Sequence, residues 1–151
     1  MNKIQKVLVT GKTRTTASDT GIFSGRHDGK LNIHLSAPGS TASEHVFAGV
    51  QPHPTAEQLF AGAWSACLSG AVGVVAQQKK MVLPADTSVN IEVDLGQAGS
   101  EYFVQARITL NAPGLEPEVA SAIAHAADQM CPYSKATRGN IDVALNVNTS
   151  R

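Results

Sequence analysis

Thr55-Ala56-Glu57-Gln58-Leu59-Phe60-Ala61-Gly62-Ala63-Trp64-Ser65-Ala66-Cys67-Leu68 decides how the rest of this chain is read. Thr55, followed three residues later by Gln58, has the form of a capping box, in which each side chain satisfies the other residue's free backbone amide. A helix is expected to start there and to run to about residue 80, roughly 26 residues and ~39 Å at 1.5 Å per residue. It would close on Gln77-Gln78-Lys79-Lys80, whose cations suit the negative end of the helix dipole. No charged residue occurs between Leu59 and Val75, so the helix is expected to be buried on all sides. Ala61, Gly62, Ser65, Ala66, Ser69, Gly70 and Gly73 are small enough to admit another backbone at close range.

Outward from this spine, apolar and polar residues alternate with the period of a half-buried strand in 89–95 and again in 104–110. With 96–99 as the turn between them, they predict an antiparallel hairpin with one dry face and one wet. Pro117 suits the first position of a second helix, with Val119, Ile123, Ala126 and Met130 on its buried face. Cys131-Pro132 should end that helix, because the residue before a proline is driven out of the helical region. After a turn at Arg138-Gly139-Asn140, residues 141–147 alternate again as a last strand. Nearer the start, 6–10 and 31–35 read as short strands, Asp28-Gly29 as a hairpin turn, and 36–54 as a loop without a period of its own. The expectation is one α+β domain over 1–151, in which the central helix and the helix ending at Cys131 pack on antiparallel sheet.

The chain has 151 residues, 12 Lys and Arg against 12 Asp and Glu, and hence no net charge to hold a nucleic-acid backbone. The first residues lack the apolar core of a signal peptide, and no stretch is expected to reach the ~20 apolar residues of a membrane span. A cytoplasmic location without membrane partners is therefore expected, where thiols stay reduced. His27, His34, His45, His53 and His125 share no metal-ligand spacing, so no metal site is expected. Cys67 and Cys131 are the only cysteines, and both fall in or at the end of an expected helix. Taken from the residues alone they are either a redox pair or two thiols that merely pack. Phe60, Trp64 and Tyr133 are likewise either core or ligand contacts.

The stretch Ala56 to Cys67 quoted above, together with Cys131-Pro132-Tyr133-Ser134-Lys135-Ala136-Thr137-Arg138-Gly139-Asn140 and Val7-Leu8-Val9-Thr10-Gly11-Lys12-Thr13 near the start, resembles the organic hydroperoxide resistance branch of the OsmC-like proteins. That resemblance implies an intertwined homodimer with active sites at the subunit interface. It implies a thiol peroxidase that turns organic, including lipid-derived, hydroperoxides into alcohols, with Cys67 peroxidatic and Cys131 resolving. It also implies no bound cofactor, and an external dithiol, a dihydrolipoyl group on a lipoylated carrier protein, as reductant. Apolar side chains around the thiols, Phe60, Trp64, Leu68, Met130 and Tyr133, would suit an alkyl hydroperoxide.

In such proteins the thiolate sits beside an Arg held by a Glu, since a nearby cation favours the charged form of the thiol. Glu57 matches the Glu. Ten residues of helix separate it from Cys67, about 15 Å along the axis, so the simplest geometry takes Glu57 from the partner subunit. At the family's Arg, the ungapped register gives Asp19, and an acid there would raise the thiol's pKa. Arg14 and Arg26 are the candidates to replace that cation, and Arg138 is expected to brace the loop after Cys131. The alternative reading is a slow or non-catalytic redox sensor or ligand-binding protein lacking the activating Arg.

Overall fold

The computed structural model describes residues 3–16 and 54–151. Four strands, β1 (Lys6–Thr16), β2 (Ser88–Ala98), β3 (Glu101–Asn111) and β4 (Asp142–Asn148), form one sheet in that spatial order. Helix α1 (Ala56–Gln78), helix α2 (Pro117–Met130) and the short helix α3 (Pro132–Thr137) make up the helical part. The expected strand 31–35, its Asp28-Gly29 turn and nearly all of the loop 36–54 lie outside the described residues.

α1 begins as its sequence dictates: the Gln58 N–H donates to Thr55 Oγ1 at 3.1 Å and the Thr55 N–H to Gln58 Oε1 at 3.0 Å. It ends two residues earlier than expected. Lys80 takes a left-handed backbone with φ 54°, and the Met81 N–H reaches Ala76 O while the Lys80 N–H reaches Gln77 O. This is a Schellman stop, with a lysine where glycine is usual. α1 is long and apolar enough to cross a membrane, with a window of mean hydropathy 1.7, so the expectation that no stretch approaches that character fails here. Packing accounts for much of it, since Ala61, Trp64, Leu68, Val72 and Val75 lie buried against the sheet and α2. Among the described residues, nothing covers the opposite side. Phe60 and Val74 are 39% and 44% exposed, and Ala63, Ala66 and Gly73 lie open on the same strip.

β2 and β3 make the expected hairpin, with Val89, Ile91 and Val93 facing Leu110, Ile108 and Ala106 in register, all on the buried side. Alternation sends Asn90, Glu92 and Asp94, and with them Gln105, Arg107 and Thr109, to the other side. The turn is tighter than the sequence suggested. Ala98 pairs with Glu101, leaving Gly99 and Ser100 as a two-residue loop with Gly99 at φ 60°, the position that primed hairpin turns reserve for glycine. Gly96 belongs to the strand, where a Cβ would fall 2.7 Å from Ile4 Cδ1. β1 is longer than expected and antiparallel to β2, with an irregularity between Val7 and Val9. β4 runs parallel to β3, which departs from the expectation of a wholly antiparallel sheet. A parallel return needs a crossover of a dozen residues or more, and α2 with α3 supplies it.

Candidate active site

Two elements bring the cysteines together. Cys67 projects from the middle of α1. Cys131 is fully buried at the joint between α2 and α3, where its N–H donates to Ala127 O and its carbonyl accepts from the Lys135 N–H. Its extended backbone, φ −62° and ψ 122°, is the conformation that the following Pro132 requires. One residue thus ends one helix and begins the next, and its side chain meets Cys67.

Both cysteines are free thiols, and they are neighbours close enough for Cys131 to act on the Cys67 thiol. Burial is the main cause that pushes the Cys67 thiol up, and the hydrogen bond and charge interaction with Cys131 push it the same way. The backbone N–H of Tyr133 donates to the Cys67 sulfur and pulls it down. Among the described residues no cation contributes to this environment. Nor do three or more His, Cys, Asp or Glu side chains gather anywhere among them as a metal would require.

The five expected wall residues do not form one surface. Trp64 and Leu68 are 1% and 2% exposed and belong to the core, and Met130 packs against that core. Phe60 and Tyr133 remain open, Phe60 resting edge-on against Trp64 with ring centroids 5.9 Å apart. Of the five, these two alone are open to the outside among the described residues. A groove of 560 Å³ beside Lys3, Tyr102, Phe103 and Asn140 reaches neither cysteine, nor does a smaller one of 210 Å³ between Trp64, Arg138 and β4.

Glu57 is buried in the first turn of α1, against β1. A Cβ on Gly11 would come 2.6 Å from Glu57 Cβ, so the strand passes directly over the start of the helix. Glu57 and Cys67 therefore keep their helical separation of about 15 Å within one chain. β1 also fixes Arg14. Thr15 accepts from Ser65 Oγ at 2.7 Å, which places the odd-numbered residues against α1, whereas Thr10 and Lys12 bond Asp94 and Glu92 on the far side. Arg14 shares that far side and does not reach Cys67 in its own chain. Arg26 and Asp19 lie outside the described residues.

Arg138 braces the loop as expected, donating to Asp128 O and Asp128 Oδ2, each at 2.9 Å. Sequence reasoning missed Ser134. Its buried hydroxyl accepts from Trp64 Nε1 at 3.0 Å and ties α3 to α1. The signal was present, since a buried Trp needs an acceptor for its N–H, but no local pattern says which residue provides it.

Known proteins resemble this chain in sequence and in fold. Residues 49–146 match the family model described as OsmC-like protein. An organic hydroperoxide resistance protein of Xanthomonas axonopodis pv. citri is 36% identical over 146 residues, covering 95% of this chain and 96% of that protein. The crystal structure of the organic hydroperoxide resistance protein OhrB of Bacillus subtilis superposes with a TM-score of 0.68 at 29% identity, over 92% of this chain and 97% of that one. One from Elizabethkingia anophelis gives 0.66 at 27% identity, over 97% and 99%. The chain belongs to the OsmC-like family, in its organic hydroperoxide resistance branch.

Proposed function

We propose that this protein reduces organic hydroperoxides to alcohols with its two cysteines, and so serves in resistance to oxidative stress. The observation that carries the reading is the Cys67–Cys131 contact, made across separate helices, in a chain whose relatives bear the name organic hydroperoxide resistance protein. The Cys67 thiolate attacks the distal peroxide oxygen, the O–O bond breaks, and the alkoxide leaves with a proton as the alcohol. Cys131 then attacks the resulting sulfenic sulfur, forming the disulfide and releasing water. An external dithiol, by family resemblance a dihydrolipoyl group on a lipoylated carrier protein, reduces the disulfide and is itself oxidised. The setting would be cytoplasmic.

A homodimer completes the site in this reading. The open apolar strip of Phe60, Ala63, Ala66, Gly73 and Val74 on α1 supports a second copy packing there. That copy would supply Glu57, which organises the thiolate-activating cation. Since Arg14 faces away from α1, Arg26 is the residue proposed for that charge. Phe60 and Tyr133 would receive the alkyl group. Cys67→Ser should abolish turnover, while Cys131→Ser should leave Cys67 oxidation intact and block the intramolecular disulfide. Undiminished peroxide reduction by the Cys67 variant would sink the assignment. The slow sensor reading keeps one observation in its favour, the upward push on the Cys67 thiol by burial and by Cys131.

A further inference from the structure

Two contacts join α1 to α3, one helical turn apart. Cys67 meets Cys131. Three residues before Cys67 on α1, Trp64 donates its indole N–H to Ser134, three residues after Cys131. Equal spacing in opposite chain directions makes these two rungs of one antiparallel ladder, each spanning about a helical turn. The second rung is dry: Trp64 and Ser134 are 1% and 2% exposed.

α3 has six residues, too few to hold a helix by its own hydrogen bonds. Its position depends on what it packs against. The Arg138–Asp128 pair at its far end is partly open to water, with Arg138 40% exposed, and exposed pairs hold geometry weakly. Cys131 is the joint about which α3 meets α2, and its sulfur must close to ~2.05 Å from that of Cys67 for a disulfide to form. A small rotation of α3 about that joint changes the approach. We propose that Trp64 and Ser134 are positioning residues for the disulfide step, their hydrogen bond holding α3 in register on α1 so that Cys131 attacks Cys67.

The inference rests on the two-thiol peroxidase reading for its physiological oxidant. In that step the Cys67 S–O bond breaks as the S–S bond forms, and hydroxide leaves with the Cys131 proton as water. Diamide reaches the same disulfide without a peroxide: one thiol adds to the azo group, the other displaces the adduct, and the azo compound becomes the hydrazine. Both oxidants belong in the test.

Reduced wild type, Trp64→Phe, Ser134→Ala and the double variant are mixed with one equivalent of tert-butyl hydroperoxide, and in parallel with diamide. Peroxide loss, dimedone-trapped sulfenic acid and the Cys67–Cys131 disulfide are followed separately by quench and mass spectrometry. Each single variant should consume peroxide within about twofold of wild type while forming the disulfide about tenfold more slowly, with sulfenic acid accumulating. The double variant should be no slower than either single one, because both remove the same bond. Wild-type rates of disulfide formation in both single variants, with either oxidant, overturn the proposal. A wild type inert to the hydroperoxide, with diamide disulfide formation still slowed in the variants, refutes the peroxidase reading and supports the positioning role. Thermal melts check that each variant is folded, and Trp64→Phe, which keeps the buried ring, covers the case in which Ser134→Ala is not.

Discussion

Asp94→Asn is the sharpest test of what holds the sheet together on the side away from α1. The carboxylate is almost wholly buried, yet it accepts from Arg107 Nη1 at 2.6 Å, Arg107 Nη2 at 3.0 Å, Gln105 Nε2 at 2.7 Å and Thr10 Oγ1 at 2.6 Å. The Arg107 guanidinium foremost, then the Gln105 and Thr10 donors, hold the carboxyl far below its usual range against the opposing effect of burial. An Asn amide removes the charge and turns one acceptor atom into a donor facing donors. Breaking a fully buried pair costs about 3–5 kcal/mol. Arg107 is 39% exposed and keeps Glu92 at 2.9 Å, which lowers the expected loss to about 2–3 kcal/mol. For a chain of this size that is a fall in Tm of roughly 4–12 °C at pH 7.

The sign with pH follows from the depressed carboxyl. Its stabilisation is complete above the unfolded carboxylate's pKa, about 4, and is lost as pH falls below that toward the folded value. The gap between wild type and variant should therefore be full at pH 7 and should narrow below about pH 4. Differential scanning calorimetry at several pH values measures it. A Tm within about 1 °C of wild type at pH 7, or a gap that does not narrow in acid, refutes the reasoning.

Gly11→Ala should destabilise by about 1–3 kcal/mol, since the new Cβ meets the backbone of Glu57 and Gln58 with no flexible side chain to give way, and denaturant melts would read the loss. Lys80→Gly should raise Tm by roughly 1–3 °C, because glycine occupies the left-handed stop of α1 without strain; an unchanged or lower Tm would contradict that account. Cys131→Ala removes two of the causes that push the Cys67 thiol up, so the pH profile of Cys67 alkylation should move to lower pH than in wild type. Arg14→Met should leave Cys67 oxidation within about twofold, as its residue faces the far side of the sheet, whereas a loss near tenfold would place Arg14 at the site.

Where one local rule decides an element, the sequence carried it. The capping box placed the start of α1, Cys131-Pro132 placed the break between α2 and α3, and alternation put Ile91 and Ile108 inside. Pairing was less legible. Alternation fixes which face is dry and says nothing of a strand's neighbour, so the parallel docking of β4 on β3 could not be read. β1 was cut short at residue 10 because beyond it neither face looks apolar: one packs on small residues of α1 and the other carries Thr10 and Lys12 into the Asp94 and Glu92 network. At the site the two thiols were visible through a resemblance that spans the chain. The roles expected of Trp64 and Leu68 were not, because a lone helix pattern does not tell the core-facing turn from the ligand-facing one.

The central claim is that Cys67 is a peroxide-reducing thiol resolved by Cys131. The most direct measurement is the second-order rate of Cys67 oxidation by an organic hydroperoxide, with mass spectrometry to identify the Cys67–Cys131 disulfide as product. The account predicts oxidation much faster than that of a free thiol, followed by the intramolecular disulfide; a rate no faster than a free thiol's would contradict it and leave the slow sensor reading in its place.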